Sequence, residues 1–198
     1  MIVLGITGGI GSGKSLLSRI LLCRSVPVYD TDTQAKELND TDPELKQALV
    51  AHFGDSLYPS ALQGRLDRRR LAELAFSSEK RTEELNAIVH PAVRRHLLSC
   101  LSDWKHAGHR VVAIESALLF SSGFDNLTNK VIAVTADREV RIARAMKRDR
   151  ACREQILERM NRQLSQEIIE RKADYIIRNN PGDLLLPQLD EIWRTIGL

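Results

Sequence analysis

The chain has 198 residues, of which 43% are hydrophobic and 28% are charged, and its formal net charge at pH 7 is +3. A chain of this length suits one domain, or one core with an insertion, and it can bury a hydrophobic core without disulfides or a structural metal. The small net charge does not indicate a nucleic-acid partner, and no apolar run approaches the ~18 residues of a membrane span. The three cysteines form no Cys-x-x-Cys pair, which favours a reducing, cytoplasmic location.

The apolar segments predict a parallel α/β core. Five short apolar runs have the length and composition of buried strands. Helical patterns separate or follow them at 15–22, after Asp137, which is expected to cap the helix that follows it, and at 184–196. Because each run is too far from the next for a hairpin, the connections should be right-handed crossovers within one parallel sheet. In chain order, the predicted strands are 2–6, 26–29, 110–114, 131–134 and 175–177.

The segment 33–107 is predicted to be an inserted helical subdomain. Its pattern is almost wholly helical, and Asp42, Asp67 and Ser78 are placed to begin helices. Pro91 either begins another helix or kinks one, and Gly108 ends the pattern. We therefore predict a core formed by 1–32 and 108–198, with the subdomain inserted between its second and third strands.

Residues 8–15 read GGIGSGKS and match the phosphate-binding pattern G-x-x-x-x-G-K-[ST] in full, with a strand before and a helix after. Glycines let consecutive backbone N–H groups point at phosphate oxygens. Lys14 supplies a charge for the β- and γ-phosphates, and the Ser15 hydroxyl is a ligand for Mg²⁺. The alternative is a glycine-rich turn that happens to precede a helix. We predict a P-loop that binds a nucleoside triphosphate.

A P-loop by itself indicates a nucleotide and not a reaction. A GTPase needs an Asn-Lys-x-Asp tetrad, but Asn129-Lys130 is followed by Ile132 at the fourth position, inside a predicted strand. Motor ATPases need an aspartate at the end of the third strand, where this chain has Glu115. The class that remains is that of the small-molecule kinases.

Asp30-Thr31-Asp32 follows the second predicted strand, at the sheet edge where ligands of open α/β sheets bind. If the segment is extended, both carboxylates point the same way. Asp32 would then accept a proton from an attacking hydroxyl, and Asp30 would hold a magnesium-bound water. The alternative is a turn or a helix cap, since aspartate is common in both.

The helix after Asp137 carries Arg141, Arg144 and Arg148 on one stripe. A solvated basic face is the usual explanation of such a stripe. The alternative is a lid, about 141–160, whose arginines offset the charge on a transferring phosphoryl group. We expect Arg144 and Arg148 to be the best placed for that function.

On the basis of these motifs, the chain resembles the dephospho-CoA kinase family from about residue 2 to residue 180. The L-N-x-x-x-H-P pattern at 85–91 and the Asp-x-Asp pattern at 30–32 are the specific matches. Further matches lie at 66–71, 115–120, 144–149 and 173–177. The chain departs from the family at Leu16, where Thr is frequent, and at Ile169, where many members have a basic residue.

The resemblance implies that the γ-phosphoryl group of ATP is transferred to the 3′-hydroxyl of dephospho-CoA, with Mg²⁺ as cofactor. It implies that Asp32 is the base and that Arg144 and Arg148 belong to the lid. The substrate-binding residues would be Arg68 and His90, although a histidine before proline at a helix junction is often only a cap. The implied ATP-binding residues are Gly9, Ile10, Gly11, Ser12, Gly13, Lys14, Ser15, Leu16 and Asn179.

Two other functions stay open from the sequence. One is a kinase of nucleosides, nucleotides or shikimate on the same core, and the other is a nucleotide-binding module without catalysis. ATP and dephospho-CoA are the expected partners, with no nucleic acid and no membrane. We expect a monomer or a small homo-oligomer.

Overall fold

The structure is a computed structural model and describes residues 1–197. Its strands are β1 (Ile2–Thr7), β2 (Val28–Asp30), β3 (Val111–Glu115), β4 (Lys130–Thr135) and β5 (Tyr175–Arg178). Its α-helices are α1 (Lys14–Cys23), α2 (Thr31–Thr41), α3 (Pro43–Phe53), α4 (Arg68–Ala75), α5 (Glu79–His106), α6 (Arg138–Asp149), α7 (Arg153–Asn161), α8 (Gln166–Lys172) and α9 (Leu185–Thr195).

The five strands form one sheet in the order β2-β3-β1-β4-β5. The pairs β1–β3, β1–β4 and β4–β5 are parallel. Central strand β1 therefore has the carboxyl ends of β3 and β4 on either side of its own. The crevice beyond these ends is where open α/β sheets bind their ligands. The glycine-rich segment leaves β1 at this point.

The core fixes the helix that follows this segment. Buried side chains of β1 and α1 pack together in one cluster, which α9 also joins. A fully buried leucine or isoleucine stabilises a fold by about 1.5–3 kcal/mol, so α1 is held firmly against the sheet. The members from these three elements are Leu4, Ile6, Leu17, Leu21, Leu189 and Ile192.

The chain divides into two compact units. The first contains Met1–Tyr29 and the chain from Trp104 onward, and the second is Asp30–Asp103. The second unit thus begins three residues before 33 and ends four residues before 107, the predicted limits of the subdomain. No helix within residues 1–197 has the length and apolar character needed to cross a membrane.

Helix caps in the second unit follow the sequence signals. Asp42 accepts hydrogen bonds from the amides of Glu44 and Leu45 at the start of α3. Asp67 accepts one from the amide of Arg70 at the start of α4. Asparagine, aspartate and serine side chains satisfy backbone N–H groups that a helix start leaves without partners. The local sequence is therefore enough to place both starts.

Three local expectations are corrected. The segment 30–32 is not extended, because α2 begins at Thr31. Pro91 does not begin a helix, because α5 runs through it as one helix of 28 residues. A proline removes one helix hydrogen bond, and the remaining bonds of so long a helix maintain it. Asp137 stands at the start of α6 but makes no side-chain cap there.

Candidate active site

The segment between β1 and α1 can be built only with glycine at several positions. Gly8, Gly11 and Gly13 have φ angles of 145°, 77° and 104°, which L side chains rarely adopt. A Cβ on Gly8 would lie 2.2 Å from the carbonyl oxygen of Val134, and one on Gly13 would lie 2.0 Å from Nδ2 of Asn179. The glycines therefore allow both the curvature of the loop and its close approach to β4 and to the segment after β5.

Lys14, the first residue of α1, folds back over this loop. Its Nζ donates to the carbonyl oxygen of Gly8 at 2.8 Å and lies 3.5 Å from that of Gly9. A lysine ammonium is a compact charge with three donors. This position adds a positive charge to the helix N-terminus, which itself favours anions.

A buried carboxylate stands beside the loop, at the carboxyl end of β3. Glu115 is 6% exposed. Its Oε1 accepts from Oγ of Ser15 at 3.0 Å, and its Oε2 accepts from Oγ of Ser18 at 2.5 Å. Because Ser15 and Ser18 are three residues apart, both hydroxyls lie on the same face of α1. Hydroxyl and carboxylate oxygens are the donors that Mg²⁺ prefers, so these residues fit a magnesium ion.

Glu115 was not predicted to be a site residue. In the sequence, a glutamate at the position where motor ATPases have aspartate served only to exclude that class. Glutamate offers the same carboxylate as aspartate with one more methylene. Its buried position beside the loop supports the function of that aspartate, which is to help hold the magnesium ion. The signal that was available is the pair Ser15 and Ser18, which places two hydroxyls on one face of α1.

The arginines of α6 have three different surroundings. Arg141 is buried, and its Nε donates to the carbonyl oxygen of Ile10 at 3.0 Å. Arg144 donates from Nη1 to the carbonyl oxygen of Asn179 at 2.8 Å. Arg148 donates to the carboxylate of the next residue, Asp149, at 2.6 and 3.0 Å. The stripe is thus solvated only at Arg148, which is exposed, whereas Arg144 is half-buried. Arg141, which was not singled out from the sequence, makes the direct contact with the loop.

Asn179 joins Arg144 to the loop. Its side-chain Nδ2 donates to the carbonyl oxygen of Ser12 at 2.7 Å in a buried hydrogen bond. The same residue accepts from Arg144 through its backbone. The first unit therefore brings together the glycine-rich loop, Lys14, Asn179 and Arg144, all of which the sequence analysis had named.

Asp149 holds Arg148 at the end of α6. Hydrogen bonds from Arg148 and then from Arg159 lower the pKa of Asp149 to about 2. The carboxylate is therefore ionised at neutral pH and neutralises part of the charge of both arginines. A phosphoryl group that binds Arg148 has to compete with this carboxylate.

Asp30 has the structure of a helix cap. Its Oδ1 accepts from the amides of Asp32 at 3.0 Å and Thr33 at 3.3 Å, and its Oδ2 accepts from Oγ1 of Thr33 at 2.7 Å. Asp32 is exposed in the first turn of α2. The prediction that the two carboxylates point the same way assumed an extended segment and is therefore wrong. Asp30 is instead a helix cap, which was the alternative.

Arg68 and His90 both belong to the second unit. Nη2 of Arg68 donates to Oδ2 of Asp40 at 2.6 Å and to the carbonyl oxygen of Lys36 at 3.3 Å. Burial raises the pKa of Asp40, but the Leu66 amide and the Arg68 guanidinium together hold it below its usual value. Burial lowers the pKa of His90. Since His90 lies inside α5, it does not cap a helix start.

The family model described as dephospho-CoA kinase matches residues 2–184. The chain belongs to the dephospho-CoA kinase family. The dephospho-CoA kinase of Porphyromonas gingivalis is 44% identical over 197 residues, which cover 99% of this chain and 95% of that protein.

Two solved structures have a similar fold, and one of them is a dephospho-CoA kinase. The crystal structure of TT1252 from Thermus thermophilus matches with a TM-score of 0.80 and 33% identity, covering 98% of this chain and 95% of that chain. A dephospho-CoA kinase from Campylobacter jejuni matches with a TM-score of 0.65 and 26% identity, covering 98% and 94%. The predicted family, the α/β fold and the predicted activity of a dephospho-CoA kinase in coenzyme A synthesis are confirmed.

Proposed function

We propose that this dephospho-CoA kinase family member transfers the γ-phosphoryl group of ATP to the 3′-hydroxyl of the ribose of dephospho-CoA, giving coenzyme A and ADP. The observation that carries the proposal is a complete phosphate-binding loop within a chain that matches the family over residues 2–184. The free cysteines Cys23, Cys100 and Cys152 support a reducing, cytoplasmic location. The division into two units suits an enzyme that holds two substrates.

The triphosphate is assigned to the loop. Backbone N–H groups of the loop face its oxygens, and Lys14 neutralises the β- and γ-phosphates. The amides of Ile10, Ser12 and Leu16 are not among these groups, because they donate to Gln163, Gly9 and Gly13. On binding, the ammonium exchanges its bond with the Gly8 carbonyl for phosphate oxygens. Asn179 holds the loop from the side and is assigned to the adenine end of ATP. This arrangement is supported by the positions of Lys14 and Asn179.

The magnesium ion is assigned to Ser15 and Glu115. When bound, it polarises the phosphoryl oxygens and neutralises charge that develops on them. The Ser15 hydroxyl and the Glu115 carboxylate, directly or through water, supply hard oxygen donors. The two serine donors of Glu115 are neutral, so its negative charge is available to a cation. Asp30 was the other predicted ligand, but both its oxygens accept bonds that cap α2.

The acceptor is assigned to residues of the second unit. Asp32 accepts the proton of the attacking 3′-hydroxyl as a general base. Arg68 binds the pyrophosphate of dephospho-CoA, and Asp40 holds its guanidinium ready for that contact. His90, which burial keeps neutral, is assigned to the same substrate. Arg144 and Arg148 offset the charge of the transferring group, as lid arginines do in other phosphotransferases.

The test is an ADP assay with and without dephospho-CoA. We expect ADP to form only with the acceptor and the product to carry a new phosphate on the 3′ oxygen of the ribose. A preference for a nucleoside, a nucleoside monophosphate or shikimate would contradict the proposal. Binding of ATP without any acceptor-dependent ADP would indicate a module without catalysis. A parallel preparation of the Lys14→Ala variant controls for contaminating kinases.

The Glu115→Gln variant tests the magnesium assignment. We expect the magnesium concentration for half-maximal activity to rise by about tenfold to a hundredfold, because residues that orient a metal site have effects of this size. Glutamine keeps the shape, and a serine hydroxyl can accept from its new N–H group. The matched control is Glu139→Gln, which removes an exposed carboxylate that pairs with Arg153. The same magnesium dependence in Glu115→Gln and in the wild type would remove Glu115 from the site.

A further inference from the structure

Ile10 lies in the phosphate-binding loop, and both its backbone N–H and its carbonyl oxygen form hydrogen bonds with side chains. Its N–H donates to Oε1 of Gln163 at 3.0 Å. Its carbonyl oxygen accepts from Nε of Arg141 at 3.0 Å. Both partners lie more than a hundred residues away along the chain, between the start of α6 and the start of α8. The backbone of Ile10 is therefore held by residues from outside the loop.

The side chain of Ile10 is also engaged by this part of the first unit. It packs against a small apolar cluster formed by Ile142 and Ala145 of α6 and Ile156 of α7. All three parts of Ile10, namely its donor, its acceptor and its side chain, thus contact the α6–α8 region.

Arg141 and Gln163 hold the backbone of Ile10 in different ways. Arg141 is buried, its Nη1 donates to Oε1 of Gln166 at 2.7 Å, and a Cβ on Gly9 would lie 2.1 Å from its Nη2. It therefore fills the space beside the loop. Gln163 is half-buried in the short connection between α7 and α8. A cavity of about 690 Å³, lined in part by Gln163, Arg141 and Gln166, opens on one side of this connection.

We propose that Gln163 is a positioning residue for ATP: by holding the Ile10 amide, it fixes the curvature of the phosphate-binding loop. The proposal rests on the assignment of this loop to the triphosphate. The Ile10 amide is occupied by Gln163, and a loop that already has its curvature presents its other N–H groups to phosphate without first having to be ordered. Gln163 itself touches no substrate in this assignment.

The test compares ATP binding and loop mobility in Gln163→Met, which keeps the length of the side chain and removes the acceptor. A neutral hydrogen bond is worth a few-fold to about tenfold in an equilibrium, so we expect ATP to bind about three- to tenfold more weakly. Amide hydrogen exchange in the peptide that contains Ile10 should become faster. The KM for dephospho-CoA should stay within a factor of about two, because the acceptor does not contact this loop in the proposed assignment.

The matched control is Gln155→Met. Gln155 lies in α7, and its Oε1 also accepts from a backbone amide, that of Cys152, at 3.1 Å. This variant removes a bond of the same type from the same segment without touching the loop, so it should bind ATP as the wild type does. A second variant, Gln163→Glu, keeps an acceptor oxygen and should keep the exchange protection of Ile10.

Wild-type ATP affinity and wild-type exchange in Gln163→Met would overturn the proposal. Equal weakening by Gln163→Met and Gln155→Met would also overturn it, because the effect would then come from the segment and not from the bond to Ile10. The proposal would also be overturned if the Ile10 amide lost as much exchange protection in Gln163→Glu as in Gln163→Met, because Gln163→Glu keeps the acceptor oxygen. ATP binding and exchange need no acceptor, so a failure of the dephospho-CoA assay would contradict the proposed function and leave this result standing.

Discussion

Replacing Lys14 by alanine is expected to abolish phosphoryl transfer, with kcat/KM reduced by about a thousandfold or more. The ammonium lies over the loop, 2.8 Å from the Gly8 carbonyl oxygen, where the phosphates are assigned. Alanine leaves the backbone N–H groups in place but removes the one side-chain charge that the P-loop pattern itself supplies. Because the transferring group carries spread negative charge, the loss should appear in kcat as well as in ATP binding. The measurement is the acceptor-dependent ADP assay.

The matched control for Lys14→Ala is Lys105→Ala. Lys105 is exposed in the last turn of α5, so this variant removes a lysine charge without changing the loop. Thermal unfolding of both variants should show that they fold as the wild type does. If Lys14→Ala kept activity within about tenfold of the wild type, charge compensation by Lys14 would not be part of the mechanism.

The sheet and the loop could be predicted because their signals are local. The strand runs and the glycine-rich pattern depend on neighbouring residues, and the positive φ angles of Gly8, Gly11 and Gly13 are a direct consequence of that pattern. The family resemblance adds motifs of the same local kind. The place of a strand or a loop in the fold can be predicted from such local patterns when its segment favours only one secondary structure.

The contacts that define the site were harder to predict because they join distant parts of the chain. Glu115 meets Ser15 across 100 positions, and Arg141 meets Ile10 across 131. A stripe of arginines on a helix does not indicate which member is buried, since that depends on the element packed against it. Arg141 was therefore not distinguished from Arg144 and Arg148.

The segment 30–32 shows how two local signals compete. An apolar run before Asp30 favours an extended continuation, whereas aspartate followed by polar residues favours a helix start. The three hydrogen bonds that Asp30 accepts stabilise the helix start. The proposed role of Asp32 consequently no longer depends on an extended segment, and a direct test of this residue is needed.

The Asp32→Asn variant is expected to bind ATP almost normally and to lose about a hundredfold to ten-thousandfold in kcat, the usual contribution of a general base. Asparagine has nearly the same shape but does not take up the proton of the attacking hydroxyl. Asp32 is exposed in the first turn of α2. Loss of its charge near the helix N-terminus should lower the free energy of unfolding by only about 0.3–1 kcal/mol. The measurements are kcat with dephospho-CoA and the Kd for ATP.

The matched control for Asp32→Asn is Glu44→Gln, which removes an exposed carboxylate from the first turn of α3 in the same unit. It has a comparable effect on a helix N-terminus but no assigned role in the reaction, so kcat should stay at the wild-type value. A kcat that falls equally in both variants would indicate a general effect of helix stability. An unchanged kcat in Asp32→Asn would remove Asp32 from proton transfer, and the 3′-hydroxyl would then lose its proton to another group or to the phosphoryl oxygens themselves.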